Sequence, residues 1–255
     1  NMPYDRFAHT LLTASGSNFR DPPVNFYRAV PDRTPAAIAS TVALTFMGQH
    51  RDGWTEKRRA GMGAFFARVG YKGTAEWKEE VVFFDLPRAL KEGMPPGAVF
   101  PDGSPVTLLP EIDPRTVFAD WLVAPGNPYF AQNIVNRLWA WLIGRGLIHE
   151  PDDIRPDNPP SHPELLAWLE QELVTHDYDL RHIIGLILNS ETYQRSCVPN
   201  AGNREDQSGF SHYLVRRLEA EVLIDAINQI AGGAERYSSE IPEPFTFIPP
   251  QHRAI

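Results

Sequence analysis

The chain has very little cysteine: Cys197 is the only one among its 255 residues. A single thiol excludes an internal disulfide and a cysteine-rich metal cluster. Long apolar runs are also absent, since no uninterrupted stretch approaches the ~20 residues that a membrane-spanning helix needs. The net charge is −8, the sequence pI is near 5.5, and the basic residues are dispersed. We therefore predict no membrane span and no nucleic-acid partner, because no Lys/Arg surface follows a phosphate backbone.

Several catalytic motifs are missing as well. The chain has no His-Glu-x-x-His segment, no nucleophile elbow, and no glycine-rich loop of the kind that binds nucleotide phosphates. Six histidines are scattered and show no ligand spacing: His9, His50, His149, His176, His182 and His212. We therefore predict no cofactor, no metal centre and no hydrolase triad from motifs.

Proline is abundant, and much of it marks helix starts. The 24 prolines are roughly twice the ~5% of an average protein. Residues that cap helix N-termini precede apolar periodic segments at five places: Thr34, Thr55, Asp113, Asn127 and Asp179. Ser161 and Glu164 have capping-box spacing, which predicts a helix from His162. Glycines predict helix ends at Gly48, Gly70, Gly144 and Gly232.

These signals predict a mainly α protein, with helical bundle-like units and a small β-hairpin connector. We assign a helical unit to residues 1–70, a β-containing connector to 71–111, and a second helical unit to 112–255. The connector carries a β-favouring run at 81–84 and an Asp102-Gly103 pair typical of a hairpin turn. Both ends of the chain resemble cuts, so we expect a piece of a longer protein, truncated at its C-terminal end.

An acidic loop over residues 150–164 is the first candidate site. Asp152, Asp153, Asp157 and His162 fall within it, and such groups suit general acid–base chemistry or a Ca²⁺ or Mg²⁺ site. The spacing matches no known metal loop. The alternative is structural: the acids pair with Arg155 and the loop caps the next helix. We favour the structural interpretation, so a divalent cation is not the favoured prediction.

A second candidate site lies on the predicted helix after Asn127. Asn133, Arg137 and Trp141, together with Arg155 from the acidic loop, are the candidate ligand-binding residues. Aromatic rings stack on sugars, and arginine offers a bidentate fork to a carboxylate. The alternative is that Arg137 reaches back to the acidic loop and anchors it, because a buried arginine needs a partner. We favour the anchor.

Four segments carry a family resemblance: NPYFAQNIVNRLWAWLIGRGLI, DDIRPDNPPSHPELLAWL, DYDLRHIIGLILNSETYQRS and RRLEAEVLIDAI. They resemble the PSD-type domain of unknown function of large secreted Planctomycetes and Verrucomicrobia proteins. The upstream NMPYDRFAHTLLTASGSNFRDPPVNFYRAV and ALTFMG resemble the end of the companion PSCyt-type cytochrome-associated domain. The resemblance implies export to the periplasm or outside the cell, and a link to polysaccharide utilisation. It supplies no established reaction or catalytic residue.

One departure from that resemblance concerns haem. Many relatives have a Cys-x-x-Cys-His motif after the helix equivalent to ALTFMG, whereas this chain reads Gly48-Gln49-His50-Arg51-Asp52-Gly53-Trp54. Covalent haem attachment needs two thiols ahead of the histidine. We therefore expect no c-type haem on this chain.

Three functions remain open. We favour a non-catalytic helical interaction module of a large exported protein, whose partners are other subunits or domains of that protein or a polysaccharide. The alternatives are a carbohydrate-active enzyme with an acid, histidine or metal site in the 150–164 loop, and a partner of a cytochrome electron-transfer system. The sequence leaves open whether the chain is an enzyme.

Overall fold

The computed structural model describes residues 2–50 and 53–238, together with residues 248 and 253. It is mainly helical with one small antiparallel sheet, which confirms the predicted fold class. The chain divides into two compact units, Asn1–Tyr213 and Leu214–Ile255. Within the described residues, no helix combines the length and apolar character that crossing a membrane requires.

The helices of the described residues fall on both units. The first unit contains α1 (Tyr4–Thr13), α2 (Asn25–Arg28), α3 (Pro35–Met47), α4 (Glu56–Gly63), α5 (Leu86–Glu92), α6 (Pro114–Val123), α7 (Phe130–Ile143), α8 (Pro163–Thr175) and α9 (Leu180–Leu188). The second contains α10 (Ala220–Ala231), which ends at Gly232 in the left-handed conformation, as predicted. The strands are β1 (Gly16–Ser17), β2 (Val69–Gly73) and β3 (Glu80–Phe84).

Most predicted helix boundaries are confirmed. Four predicted caps accept a hydrogen bond from a backbone N–H of the first turn: Thr34, Thr55, Asp113 and Asp179. Asn127 Oδ1 accepts from the N–H groups of Tyr129 and Phe130, at 3.0 and 3.1 Å, just where α7 begins. Gly48 and Gly144 end α3 and α7 with φ of 61° and 100°, a conformation that glycine adopts at little cost.

The capping box predicted at Ser161 and Glu164 is wrong. Helix α8 begins at Pro163, and the residue before it, His162, makes no side-chain capping bond. Ser161 instead donates to Leu147 O through both its backbone N–H, at 2.8 Å, and its hydroxyl, at 3.1 Å. The loop backbone therefore competes successfully for the serine, and Pro163 has no N–H that would need a cap.

The sheet has the order β1-β3-β2, and β2 and β3 form an antiparallel hairpin. The strand predicted at 81–84 is confirmed within β3, whereas Gly70 does not end a helix: it lies in β2. A Cβ at Gly70 would come within 2.7 Å of the Phe83 ring, so any larger residue there would displace that ring. The predicted Asp102-Gly103 turn forms, but only one isolated bridge, Val99 to Pro105, accompanies it.

The core of the first unit crosses the segment boundaries predicted near residues 70 and 111. Helix α1 packs on α6, and α3 packs on α4 and α7, while α7 packs on α8 and α9. The Phe118 ring of α6 lies 5.3 Å from Phe65 and 5.5 Å from Phe66. Buried Arg115 donates to Ala14 O at 2.8 Å, which ties α6 to the end of α1. The predicted first helical unit, the connector and residues 112–213 of the predicted second helical unit therefore share one core, while residues from Leu214 on belong to the other compact unit.

Candidate functional site

The acidic loop belongs to the segment that joins α7, which ends at Ile143, to α8, which begins at Pro163. Asn136 of α7 is buried and binds the backbone of the first part of this segment. The Asn136 Oδ1 accepts from Ile148 N at 2.9 Å, and the Asn136 Nδ2 donates to Ile148 O at 3.0 Å and to Pro151 O at 3.3 Å. Further along, Ile154 N donates to Gly48 O at 2.8 Å. The loop backbone is thus bonded both to α7 and to the end of α3.

The Arg137 side chain connects the acidic loop to the end of α3. Its Nε donates to Asp152 Oδ1 at 2.6 Å, its Nη1 to Thr45 O at 2.6 Å and its Nη2 to Leu44 O at 2.8 Å. Leu44 and Thr45 belong to the last turn of α3, whose carbonyls have no partner within the helix. A cation at a helix C-terminus is also favoured by the helix dipole. The predicted anchor between Arg137 and the acidic loop is therefore present.

Asn133 joins this arrangement instead of facing a ligand. Its side chain is fully buried, and Nδ2 donates to Thr45 O at 3.0 Å. Its Oδ1 is buried without a hydrogen-bond partner, and it occupies the space that a Cβ at Gly48 would need. Gly48 is thus needed both for its left-handed backbone and for the close approach of α7. Asn133 and Arg137, two of the candidate ligand-binding residues, lie behind the loop.

The remaining acids of the loop are paired at its surface. Arg155 Nε lies 3.0 Å from Asp153 Oδ2, and Arg155 Nη1 lies 3.3 Å from Asp157 Oδ2. Glu150 lies 3.1 Å from the His149 imidazole. Asp152, Asp153 and Asp157 therefore each contact an arginine, once the Arg137 contact with Asp152 is included, whereas the partner of Glu150 is an imidazole. Asp157 and Arg155 are more than half exposed, so their pairing exchanges readily with solvent.

A polar groove lies between the loop and the segment that joins α3 to α4. Its main cavity, of about 670 Å³, is lined by Gln49, His50, Gly53, Trp54, Arg58, Glu150, Asp153, Ile154, Arg155, Pro156 and Asp157. An adjoining cavity of about 360 Å³ adds Tyr129, Gln132, Ile148, Asn158, Pro159 and Pro160. The larger volume falls in the range of roughly 300–1,000 Å³ that is typical of small-ligand sites.

The structure brings only some of the predicted site residues to this groove. Asp153, Asp157 and Arg155 line it, whereas Asp152 and His162 are not among the lining residues. The His162 ring packs 5.5 Å from Phe210, and its Nδ1 lies 3.1 Å from Ser161 Oγ. Trp141 is 60% exposed and also lines neither cavity. The four candidate catalytic residues therefore do not converge on one point.

Arg58 is a groove residue that sequence reasoning missed. It lies on α4 with its guanidinium 4.0 Å from the Trp54 ring, and its Nη2 donates to Gln49 Oε1 at 2.9 Å. Its Nε is buried without a hydrogen-bond partner. Burial lowers the pKa of Arg58, and burial likewise raises the pKa of the neighbouring Tyr129 hydroxyl. No local sequence signal distinguishes Arg58 from Arg59, since the groove forms only through long-range packing.

The groove is lined by both hydrogen-bond donors and hydrogen-bond acceptors. The guanidiniums of Arg58 and Arg155 donate, the carboxylate of Asp153 accepts, and the Gln49 amide does both. Proline rings and Ile154 add apolar faces between them. Such a surface can hold a polar molecule in a fixed orientation.

The fold and the loop describe a mainly helical chain in which Arg137 fastens the α7–α8 loop to the end of α3. Asn133 joins α7 to the same helix end, and Asn136 holds the loop on α7. Residues 114–252 match the PSD1 family, described as a protein of unknown function (DUF1553). The match covers more than half of the chain, and the chain belongs to this family. The predicted PSD-type identity is confirmed. No curated protein and no solved structure matches the chain.

Proposed function

We propose that this chain is a non-catalytic interaction module of a large exported protein, and that its groove binds a neutral, hydroxyl-rich ligand of the polysaccharide class. The main support is the pairing of Asp152, Asp153 and Asp157 with arginine side chains. A general acid or base needs a carboxyl group free to exchange a proton with the substrate. Asp152, which is held by the largely buried guanidinium of Arg137, is a poor candidate for that role, and Asp153 and Asp157 would have to leave their contacts with Arg155 to take it.

The ligand class follows from the chemistry of the groove. Charges of both signs lie side by side and largely neutralise one another, so the groove offers hydrogen bonds without a strong net field. A neutral sugar polymer presents hydroxyl groups that both donate and accept, and its ring faces pack on apolar surfaces such as the exposed rings of Pro156 and Pro159. A polyanion would meet the groove carboxylates, and a polycation would meet Arg58 and Arg155.

Export and the link to polysaccharide utilisation are part of the same proposal. They rest on the resemblance of residues 127–195 to domains of large secreted proteins. In this setting the module holds a polysaccharide, or another domain of the same protein that carries one, while chemistry takes place elsewhere. The α7–α8 loop then serves as a rigid wall of the groove, since Arg137 and Asn136 fasten it from behind.

Binding measurements on the full chain test this proposal. Affinity electrophoresis and titration calorimetry against neutral and anionic polysaccharides should show binding to a neutral one. Arg58→Gln should weaken that binding by about tenfold or more, because it removes a charged donor from the groove. Arg59→Gln is the matched control: Arg59 follows Arg58 on α4 but pairs with Glu56 at 2.8 Å and does not line the groove.

Two outcomes would overturn the proposal. One is equal loss of binding in the Arg58 and Arg59 variants, or binding to polyanions alone, which would remove the groove as a neutral-ligand site. The other is release of reducing ends from a polysaccharide by the wild-type chain and its loss in Asp153→Asn with the circular dichroism spectrum unchanged. That second result would make the chain a carbohydrate-active enzyme.

A further inference from the structure

Three side chains of the α8–α9 hairpin meet on the surface of the first unit. Glu172 and His176 are one helical turn apart at the end of α8, and His182 is the third residue of α9. His182 Nε2 lies 2.9 Å from Glu172 Oε2, and His176 Nδ1 lies 3.4 Å from the same oxygen. One ligand atom from each residue lies within 4.8 Å of the other two.

These separations are close to those of a zinc site. Zinc bonds to imidazole nitrogen and carboxylate oxygen are ~2.0–2.2 Å long, and tetrahedral geometry then places ligand atoms roughly 3.3 Å apart. The two observed separations, 2.9 and 3.4 Å, lie on either side of that value. Zinc binding would also require the stacked His176 and His182 rings, whose centroids are 3.7 Å apart, to rotate away from each other so that both nitrogens point at the ion.

The second histidine distinguishes this cluster from an ordinary ion pair. His182 alone would satisfy Glu172, yet the His176 ring stacks on the His182 ring with 3.7 Å between centroids. Two imidazole nitrogens with one carboxylate oxygen suit zinc better than calcium or magnesium.

The backbone positions the helix ends that carry the ligands. His176 Nδ1 also lies 2.9 Å from the carbonyl oxygen of Glu172, and zinc binding at Nδ1 would replace that contact. Asp179 caps α9 by accepting from Arg181 N at 2.9 Å, which sets where His182 emerges. The side chains of Glu172, His176 and His182 are 25%, 48% and 28% exposed, so an ion can enter from solvent.

We propose that Glu172, His176 and His182 bind one Zn²⁺ ion that links α8 to α9, with a water molecule in the fourth position. The site is separate from the polar groove and does not depend on what the groove binds. Zinc binding would stabilise the folded chain, because the unfolded chain does not hold the three ligands together.

Zinc titration of the full, tag-free chain tests the proposal. After treatment with EDTA and its removal, calorimetry with ZnCl₂ should show one saturable site, and thermal unfolding should shift to higher temperature. Glu172→Gln and His182→Ala should each weaken zinc affinity by at least about tenfold. Their melting temperatures in EDTA report whether the variants still fold, and CaCl₂ should not compete with zinc.

His9→Ala is the matched control, because His9 lies 3.0 Å from Asp120 in a surface pair, and neither residue belongs to the three-residue cluster. This variant should bind zinc as the wild type does. The proposal is overturned if the wild type has no saturable site, if zinc affinity is the same in wild type and in the Glu172 and His182 variants, or if calcium competes equally.

Discussion

Replacing Arg137 with leucine removes the group that fastens the acidic loop to the end of α3, while keeping an apolar side chain in its place. The wild-type guanidinium is only 16% exposed and makes three hydrogen bonds. In the variant, the Leu44 carbonyl loses the donor that Arg137 supplies, whereas Thr45 O retains its bond from Asn133. Asp152, which is 45% exposed, returns to water.

The magnitude follows from these differences. Loss of the donor to a buried carbonyl costs about 1–3 kcal/mol, and loss of one of two donors at Thr45 costs about 1 kcal/mol. The half-exposed contact with Asp152 adds at most about 1 kcal/mol. We therefore expect Arg137→Leu to lower the free energy of unfolding by about 4 kcal/mol, and the melting temperature by roughly 8–16 °C for a unit of this size.

Urea unfolding followed by tryptophan fluorescence measures this change. All six tryptophans lie between residues 54 and 168, so their fluorescence reports on the first unit alone. Arg155→Ala is the comparison: Arg155 is 55% exposed in its pairs with Asp153 and Asp157, and its loss should cost less than about 1 kcal/mol. Equal losses in the two variants would refute the assignment of Arg137 as the anchor.

Two further predictions concern the sheet. Arg33 binds Glu80 through two hydrogen bonds, at 2.7 and 2.9 Å, and these bonds lower the pKa of Glu80. The pKa of Glu80 is therefore lower in the folded chain than in the unfolded chain. The stability advantage of wild type over Glu80→Gln should be complete above about pH 4.3 and should disappear as pH falls through the folded pKa. Urea unfolding at a series of pH values measures this advantage. Gly70→Ala should destabilise the chain by about 1–3 kcal/mol, because the new Cβ would overlap the Phe83 ring. Gly73→Ala should be neutral or slightly stabilising, because a Cβ there would meet no neighbouring atom within 4 Å. Thermal unfolding measures both. A stability difference between wild type and Glu80→Gln that stays constant at all pH values would contradict the pairing of Glu80 with Arg33. Equal changes in stability for Gly70→Ala and Gly73→Ala would contradict the close contact between Gly70 and Phe83.

Features decided within one helical turn could be predicted from the sequence. Thr34, Thr55 and Asp113 cap helices because each side chain reaches a backbone N–H two or three residues further along the chain. Gly48 and Gly144 end helices because the left-handed conformation is local as well. The mainly α fold followed from these local patterns, whereas the family was predicted from the resemblance of four longer segments.

Features decided by distant parts of the chain could not be predicted in the same way. Ser161 fits a capping box, but the carbonyl of Leu147 competes for it across the loop. Arg58 enters the groove only because α4 and the acidic loop come together in the folded chain. His176 and His182 have no ligand spacing along the sequence, and the turn between α8 and α9 brings their rings together.

The anchor at Arg137 was predictable for a different reason. A long cationic side chain on an apolar helix must find acceptors when it is buried, and the nearest acidic segment was the loop that follows. Its contacts with Leu44 and Thr45 were not predictable, since they lie more than 90 residues away in the sequence. The pairing of Arg137 with the acidic loop could therefore be predicted from the sequence, whereas its hydrogen bonds to the end of α3 depend on the tertiary fold.

Hydrogen exchange of the loop amides tests most directly whether the acidic loop is held in one conformation by its hydrogen bonds. Ile148 N donates to Asn136 Oδ1, Ile154 N to Gly48 O and Ser161 N to Leu147 O. We expect these three amides to be protected in the wild-type chain and to exchange much faster in Arg137→Leu. Rapid, unprotected exchange at all three positions in the wild type would contradict the account, because the acids would then lie on a mobile loop.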